Sequence, residues 1–194
     1  FGLLQQKAKH ATDQAFRVEQ LAKQFFNMVS DFIAIQREGQ PASNYSWQMR
    51  ITSAARSLAG WDDVEIAWSQ VSETMGLLLK SLDEIYKALG EFYADGHENL
   101  EDTMGILSSV MRRMTEAEAA ASGMIHKPSP ELIYWVEVNP RGERLSLNAA
   151  PLRVGPLVEE HLWLKKASVV MASATLTTHG EFSYLRNTLS ANEI

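Results

Sequence analysis

Apolar residues recur along the first part of the chain at alternating spacings of four and three: Leu4, Ala8, Ala11, Ala15, Val18, Ala22, Phe25, Val29 and Phe32. A repeat of about 3.5 residues keeps one stripe of a long helix against a partner. The Ala-rich first half permits close approach, while Phe25 and Phe32 thicken the far end. Gly39-Gln40-Pro41 breaks the pattern. Ser43 or Asn44 then suits the cap of a shorter helix carrying Trp47, Ile51, Ala54, Ala55 and Leu58. Gly60 and the turn Trp61-Asp62-Asp63 open the next helix. Its stripe is Val64, Trp68, Val71, Met75, Leu78, Leu82, Ile85, Leu89 and Phe92, and Asp95-Gly96 ends it. A fourth helix is expected from about Asn99 to Ala121, with Leu100, Leu107, Met111 and Met114 inward and an Ala tract of high helix propensity near its end.

The regime changes at Ser122-Gly123. The following stretch, with Pro128-Ser129-Pro130, has no periodicity and reads as a crossing between domains. Two β-rich runs, Leu132 to Val138 and Leu145 to Ala149, flank the turn Asn139-Pro140-Arg141-Gly142 and predict a hairpin. Val154-Gly155-Pro156 opens a short helix that Lys165-Lys166 closes. The apolar run Ser168 to Met171 predicts a buried strand, and a helix is expected from about Glu181 to Leu189. Two long seams joined by turns imply a mainly α protein with an antiparallel helical bundle over residues 1–124. The alternation of strand and helix over 125–194 implies a small α/β segment. The chain opens at Phe1 inside a helical stretch and closes at Ile194 without a cap, as expected of a piece of a longer polypeptide.

Composition narrows the chemistry. The chain has no Cys, which excludes disulfides, thiol nucleophiles and cysteine-ligated iron–sulfur or zinc sites within it. No apolar run approaches the ~20 residues of a membrane span, and no basic-then-apolar leader is present, so a cytoplasmic place and no membrane partner are expected. The net charge of −6 argues against a basic nucleic-acid coat. The charge is uneven: residues 1–56 hold 7 Lys/Arg against 4 Asp/Glu, and residues 57–130 hold 5 against 13. That pattern suits solvated helix faces of different sign.

Candidate chemistry gathers in Ser173-Ala174-Thr175-Leu176-Thr177-Thr178-His179, just after the expected strand. In an open α/β sheet, ligands collect beyond the carboxyl ends of strands. Hydroxyls there can bond phosphate, backbone amides or a neighbouring loop. The same hydroxyls also suit caps for the helix near Glu181. A nucleophilic Ser173 is disfavoured, because no Gly-x-Ser-x-Gly elbow occurs and nothing joins His161 or His179 to it as a triad. No histidine spacing suggests a metal. Neither Gly-x-x-x-x-Gly-Lys-Ser/Thr nor an Asp-Glu-x-His box occurs, so no phosphate loop or magnesium acid is present and no cofactor is expected on this chain. For nucleic acid, the candidates are Arg112, Arg113, Arg141, Arg144 and Arg153, with Tyr134 and Trp135 near the hairpin arginines. Cations mixed with stacking rings hold single strands. On the residues alone, a core Trp135 and solubilising turn arginines are the simpler reading.

One resemblance adds to this. The run Leu147-Asn148-Ala149-Ala150-Pro151-Leu152-Arg153-Val154-Gly155-Pro156-Leu157, then Trp163, then Val169 to Leu176, then Phe182-Ser183-Tyr184-Leu185-Arg186 resembles the DinG/XPD branch of superfamily 2 DNA helicases. The match covers about residues 131–190. Met171-Ala172 departs from it, where many relatives carry Thr at the second position. The resemblance implies that Ser173, Ala174, Thr175 and Leu176 are motif III, which couples ATP hydrolysis to unwinding. It implies that 125–194 is part of a RecA-like motor domain, with no catalytic residue of its own. It also implies that 1–124, placed where the family inserts its helical arch, is arch-like and helps form a passage for single-stranded DNA. The implied parent is an ATP-dependent 5'-3' DNA helicase of the DNA damage response. Its ATP and magnesium sites would lie outside this chain, together with any iron–sulfur or exonuclease domain, and this chain alone would be inactive. A stand-alone helical protein-interaction module is the competing expectation.

Overall fold

A computed structural model of the chain describes residues 2–37, 46–94, 100–139, 144–173, 175–177 and 180–191. Three long helices dominate: α1 (Gly2–Arg37), α3 (Trp61–Ala94) and α4 (Glu101–Ile125). A strand β1 (Trp47–Arg50) and a one-turn helix α2 (Ser53–Arg56) lie between α1 and α3. After α4 come β2 (Leu132–Val138), β3 (Leu145–Pro151), α5 (Gly155–Val158) and α6 (Ser183–Thr188). A π-helical turn, Glu159–Trp163, continues α5. The chain is thus mainly helical with a small three-stranded antiparallel sheet, ordered β1-β2-β3. It divides into two compact units, 1–129 with 134–148 and 130–133 with 149–194. Among the described residues, no helix is long and apolar enough to cross a membrane.

The second seam and the far half of the first do what their spacing predicts, but in the Ala-rich first half Ala11 alone of the stripe is buried, and Ala8 and Ala15 are exposed. Phe25, Val29 and Phe32 of α1 are buried against Val64, Trp68 and Val71 of α3. The Phe25 and Trp68 ring centres lie 5.1 Å apart, and Phe32 meets Trp61 at 5.4 Å. At the other end Lys7 Nζ pairs with Glu84 Oε2 at 2.6 Å. Early α1 therefore meets late α3, and the two helices are antiparallel. The Lys7 hydrogen bond and charge hold the Glu84 carboxyl below its ordinary pKa. A carboxyl lowered in the fold favours the fold above its unfolded pKa, and that benefit is lost as pH falls through the folded value.

The fourth helix packs on a second face of α3. Trp68 Nε1 donates to Ser122 Oγ at 2.9 Å. The Ser122 and Ser72 hydroxyls both donate to Glu118 Oε1, at 2.6 and 2.7 Å. The helix runs on past Ala121 to Ile125, because Gly123 is tolerated in a helix whose last residues, Met124 and Ile125, are buried in the core.

Three expectations are corrected. The stretch carrying Trp47 and Ile51 is not a helix. Trp47, Met49 and Ile51 alternate with Gln48 and Arg50, a period of two. The edge of β2 completes the ladder, with Trp47 opposite Val138 and Arg50 opposite Trp135. Thr52 then caps α2 by accepting the Ala55 amide at 3.2 Å. Second, Ser168 to Met171 forms no strand: it is irregular, and Val170 is 94% exposed. Among the described residues no neighbouring strand offers it a ladder, without which an extended segment leaves its amides and carbonyls to water. Third, α6 is shorter than expected and starts at Ser183. The expected breaks at Gly39-Gln40-Pro41, Asp95-Gly96 and Pro140-Arg141-Gly142, and the caps Ser43 and Asn44, lie outside the described residues.

The hairpin forms as predicted. Asn139 N donates to the Arg144 carbonyl at 3.0 Å, and Leu152 N to the Glu131 carbonyl at 2.7 Å. Tyr134 and Val136 point into the helical core, where Leu145 and Leu147 pack against it. Phe25→Ala should cost about 3–5 kcal/mol of unfolding free energy, as for a fully buried aromatic truncated to a cavity. Urea unfolding followed by Trp fluorescence checks this. A loss under about 1 kcal/mol, as at a surface site, would show that Phe25 does not organise the seam.

Candidate functional site

The segment that resembles motif III lies in the second unit and is open to water. Ser173 and Thr175 are exposed and Leu176 is half-buried. Ala174, Thr178 and His179 lie outside the described residues. The Thr175 amide donates to Ser173 Oγ at 3.2 Å, and the two hydroxyl oxygens are 3.4 Å apart. This is a local hydroxyl turn of the kind Ser and Thr form with the backbone two residues on. The Ser173 and Thr175 hydroxyls bond within this turn and do not cap α6. Phe182 precedes that helix and makes no side-chain cap bond. Ser173 and Thr175 therefore present polar oxygens on a short turn, with their remaining hydrogen-bond capacity facing solvent.

The structure separates the candidate arginines. Arg112 and Arg113 are exposed on α4, and Arg112 pairs with Glu116 at 2.9 Å, one turn further on. Arg144 directly precedes β3, and its amide donates to Asn139 Oδ1 at 3.3 Å. Arg153 is exposed between β3 and α5. Arg141 lies outside the described residues. Arg112, Arg113 and Arg144 belong to the first unit, whereas Arg153 belongs to the second with Ser173 and Thr175.

The two rings expected beside the hairpin arginines are not a stacking pair. Tyr134 is buried in the core, and its hydroxyl accepts the Ser129 amide at 3.1 Å. Trp135 is on the opposite face of β2, and its Nε1 is buried with no partner among the described residues. Both rings sit four or five residues along the strand from Asn139 at the turn, about 13–17 Å at strand rise. Arg144, across from Asn139, has neither ring beside it.

Two features of the second unit were not legible in the sequence. Trp163 Nε1 donates to the Leu189 carbonyl at 2.7 Å, which ties the end of α6 to the π-helical turn. Gly155, at the start of α5, packs against the same segment: a Cβ there would meet the Ser190 hydroxyl, and would lie 3.1 Å from the Thr188 carbonyl oxygen and 3.2 Å from the Ser190 amide. Ser190 itself has φ of 53°. Gly-Pro at a helix start is read as a capping signal, and the close backbone approach behind it leaves no local mark.

Burial singles out this unit more than any hydrogen bond does. Among its described residues Gly155 alone is buried. Leu164 is 77% exposed and Tyr184 69%, and Leu152, Leu157, Met171 and Phe182 are exposed as well. Among the described residues of the whole chain, no group of three or more His, Cys, Asp or Glu could hold a metal ion.

No protein-family model matches the chain. Over 61 residues it is 33% identical to the 3'-5' exonuclease DinG of Bacillus subtilis (strain 168). The matched stretch is 30% of this chain and 7% of that protein, so the chain spans a small fraction of its relative's length. The chain therefore carries a DinG-related region.

Gly155→Ala should force the Thr188–Ser190 backbone away from α5, at about 1–3 kcal/mol, the usual range for overpacking. Trypsin should then cleave faster after Arg186. An unchanged cleavage rate would show that the contact does not hold the C-terminal segment.

Proposed function

We propose that this chain is a segment of a DinG-like, ATP-dependent DNA helicase: an arch-like helical domain, then the returning part of motor domain 1 that bears motif III. The observation that carries the reading is the unfinished state of the second unit. Val169, Val170 and Met171 have the composition of a strand buried on both faces of a parallel sheet, yet Val170 lies open to water. The apolar run, the hydroxyl turn and the flanking helices fit one layer of an α/β motor in which the run becomes a strand once the other strands of the sheet are beside it. The DinG-related region supports the same family.

In this reading Ser173 and Thr175 are relay residues, not catalytic ones. Their hydroxyls are free to exchange partners between the nucleotide side and the DNA side of the motor. Arg112, Arg113, Arg144 and Arg153 serve the phosphates of single-stranded DNA, a point-charge role that needs no ring beside them. The phosphate loop and the magnesium acid belong to the preceding part of the polypeptide, so the chain alone turns over no ATP. The exonuclease activity in the relative's name is assigned to no residue here.

The coding sequence upstream of Phe1 tests the frame. A phosphate loop followed by an Asp-Glu-x-His box supports it, and their absence leaves a helical interaction module. In the polypeptide that carries both, Ser173→Ala with Thr175→Ala should reduce DNA-stimulated ATPase and strand separation while nucleotide affinity holds. Each lost hydrogen bond is worth about 0.5–1.5 kcal/mol. That is small beside a fold stability of about 5–15 kcal/mol, but comparable to a coupling energy of about 1–3 kcal/mol. Unwinding at the unaltered level would remove the relay. An equal fall in nucleotide affinity would place the turn in the ATP site itself.

A further inference from the structure

Arg56 stands where the chain leaves the helical unit and comes back to it. The chain crosses to the second unit after Ser129 and returns at Tyr134. The two ends of that excursion are tied together, because the Ser129 amide donates to the Tyr134 hydroxyl at 3.1 Å. The Ile51 amide holds the Tyr134 carbonyl at 2.9 Å. Arg56 bridges the same place. Its Nη1 donates to the Ile51 carbonyl at 3.1 Å and its Nη2 to the Met124 carbonyl at 2.7 Å. The guanidinium carbon is 5.8 Å from the centre of the Trp61 ring and 5.9 Å from that of Tyr134. One side chain therefore joins the end of β1, the last turn of α4, the start of α3 and β2.

The chemistry of this bridge differs from that of the core around it. The Arg56 charge is met by carbonyl dipoles, one of them at the C-terminus of α4 where a cation is favoured, and by the two ring faces. Its Nε is buried and has no partner among the described residues. Burial pulls the guanidinium pKa below its ordinary value, while Tyr134 and Glu65 oppose that shift. The seam of Phe25, Phe32, Trp61 and Trp68 rests on apolar area and ring packing instead.

We propose that Arg56 is a latch that holds the joint formed by residues 124–129 and 134–138 closed on the helices of the same unit, and that its release is a local opening distinct from unfolding of the α1–α3 seam. The latch does not depend on the motor assignment, so either can fail alone.

Native-state amide exchange of the chain in increasing sub-denaturing urea tests it. The amides of Ile51, His126 and Val136 should exchange through an opening with a shallower urea dependence than those of Val64 to Val71 in α3. Arg56→Lys keeps the charge and loses the two-pronged donor. It should speed exchange at the joint by about tenfold or more and change the seam by less than about twofold, as for a separable cooperative unit. One urea slope shared by joint and seam in the unaltered chain overturns the latch. So does a variant that speeds both equally, speeds neither, or fails to fold, since a latch is dispensable to the helical core.

Discussion

Trp68 is where the three long helices meet. Its ring packs on Phe25 of α1, and its indole N–H donates to Ser122 of α4. α3 must therefore be buried along two faces at once, one apolar toward α1 and one mixed toward α4. On the second face Glu118 gathers the Ser72 and Ser122 hydroxyls, so the polar groups trapped there are satisfied. A half-buried carboxylate is tolerable when donors surround it. The hairpin depends on the same arrangement. Tyr134, Val136 and Ile125 share one buried cluster with the α1–α3 seam, and β2 carries β1 along one edge and β3 along the other.

The second unit is built on a different principle. It has turns, short helices and clamps such as Trp163 on Leu189, but its described residues enclose no apolar centre. An α/β layer buries its strands by stacking them in a sheet with helices on the faces. A segment such as Val169-Val170-Met171 cannot gain that alone. Its exposure is the observation behind the proposal that the unit belongs to a larger sheet.

Legibility in the sequence followed the range of the interactions. The spacing of Phe25, Val29, Phe32, Val64, Trp68 and Val71 announced α1 and α3, because each seam is local to its own helix. The hairpin was legible because its strands are neighbours in sequence. The strand Trp47–Arg50 is not legible locally, because its ladder partner, β2, lies far along the chain. Ser168–Met171 is the opposite case: the residues have strand character, but no local pattern reports whether a neighbour exists. Arg56 carried no signal, since its two carbonyls and two rings come from four separate stretches of chain. The DinG resemblance was carried by local residues, and over 61 residues the chain is 33% identical to a DinG protein. The candidate arginines were legible only as charges, because nothing in the spacing of Arg112, Arg144 and Arg153 says which of them share a surface.

The central claim is that the apolar run before Ser173 is a strand completed by the rest of a motor. Amide exchange at Val169, Val170 and Met171 tests it most directly, compared between this 194-residue chain and a polypeptide extended upstream through any phosphate loop encoded there. The account predicts fast, unprotected exchange in the short chain. In the extended polypeptide it predicts slowing by orders of magnitude, as for amides within a central sheet. Fast exchange at these three residues in both would contradict it, because the segment would then be a surface loop and the Ser173–Thr175 turn would have no strand to end.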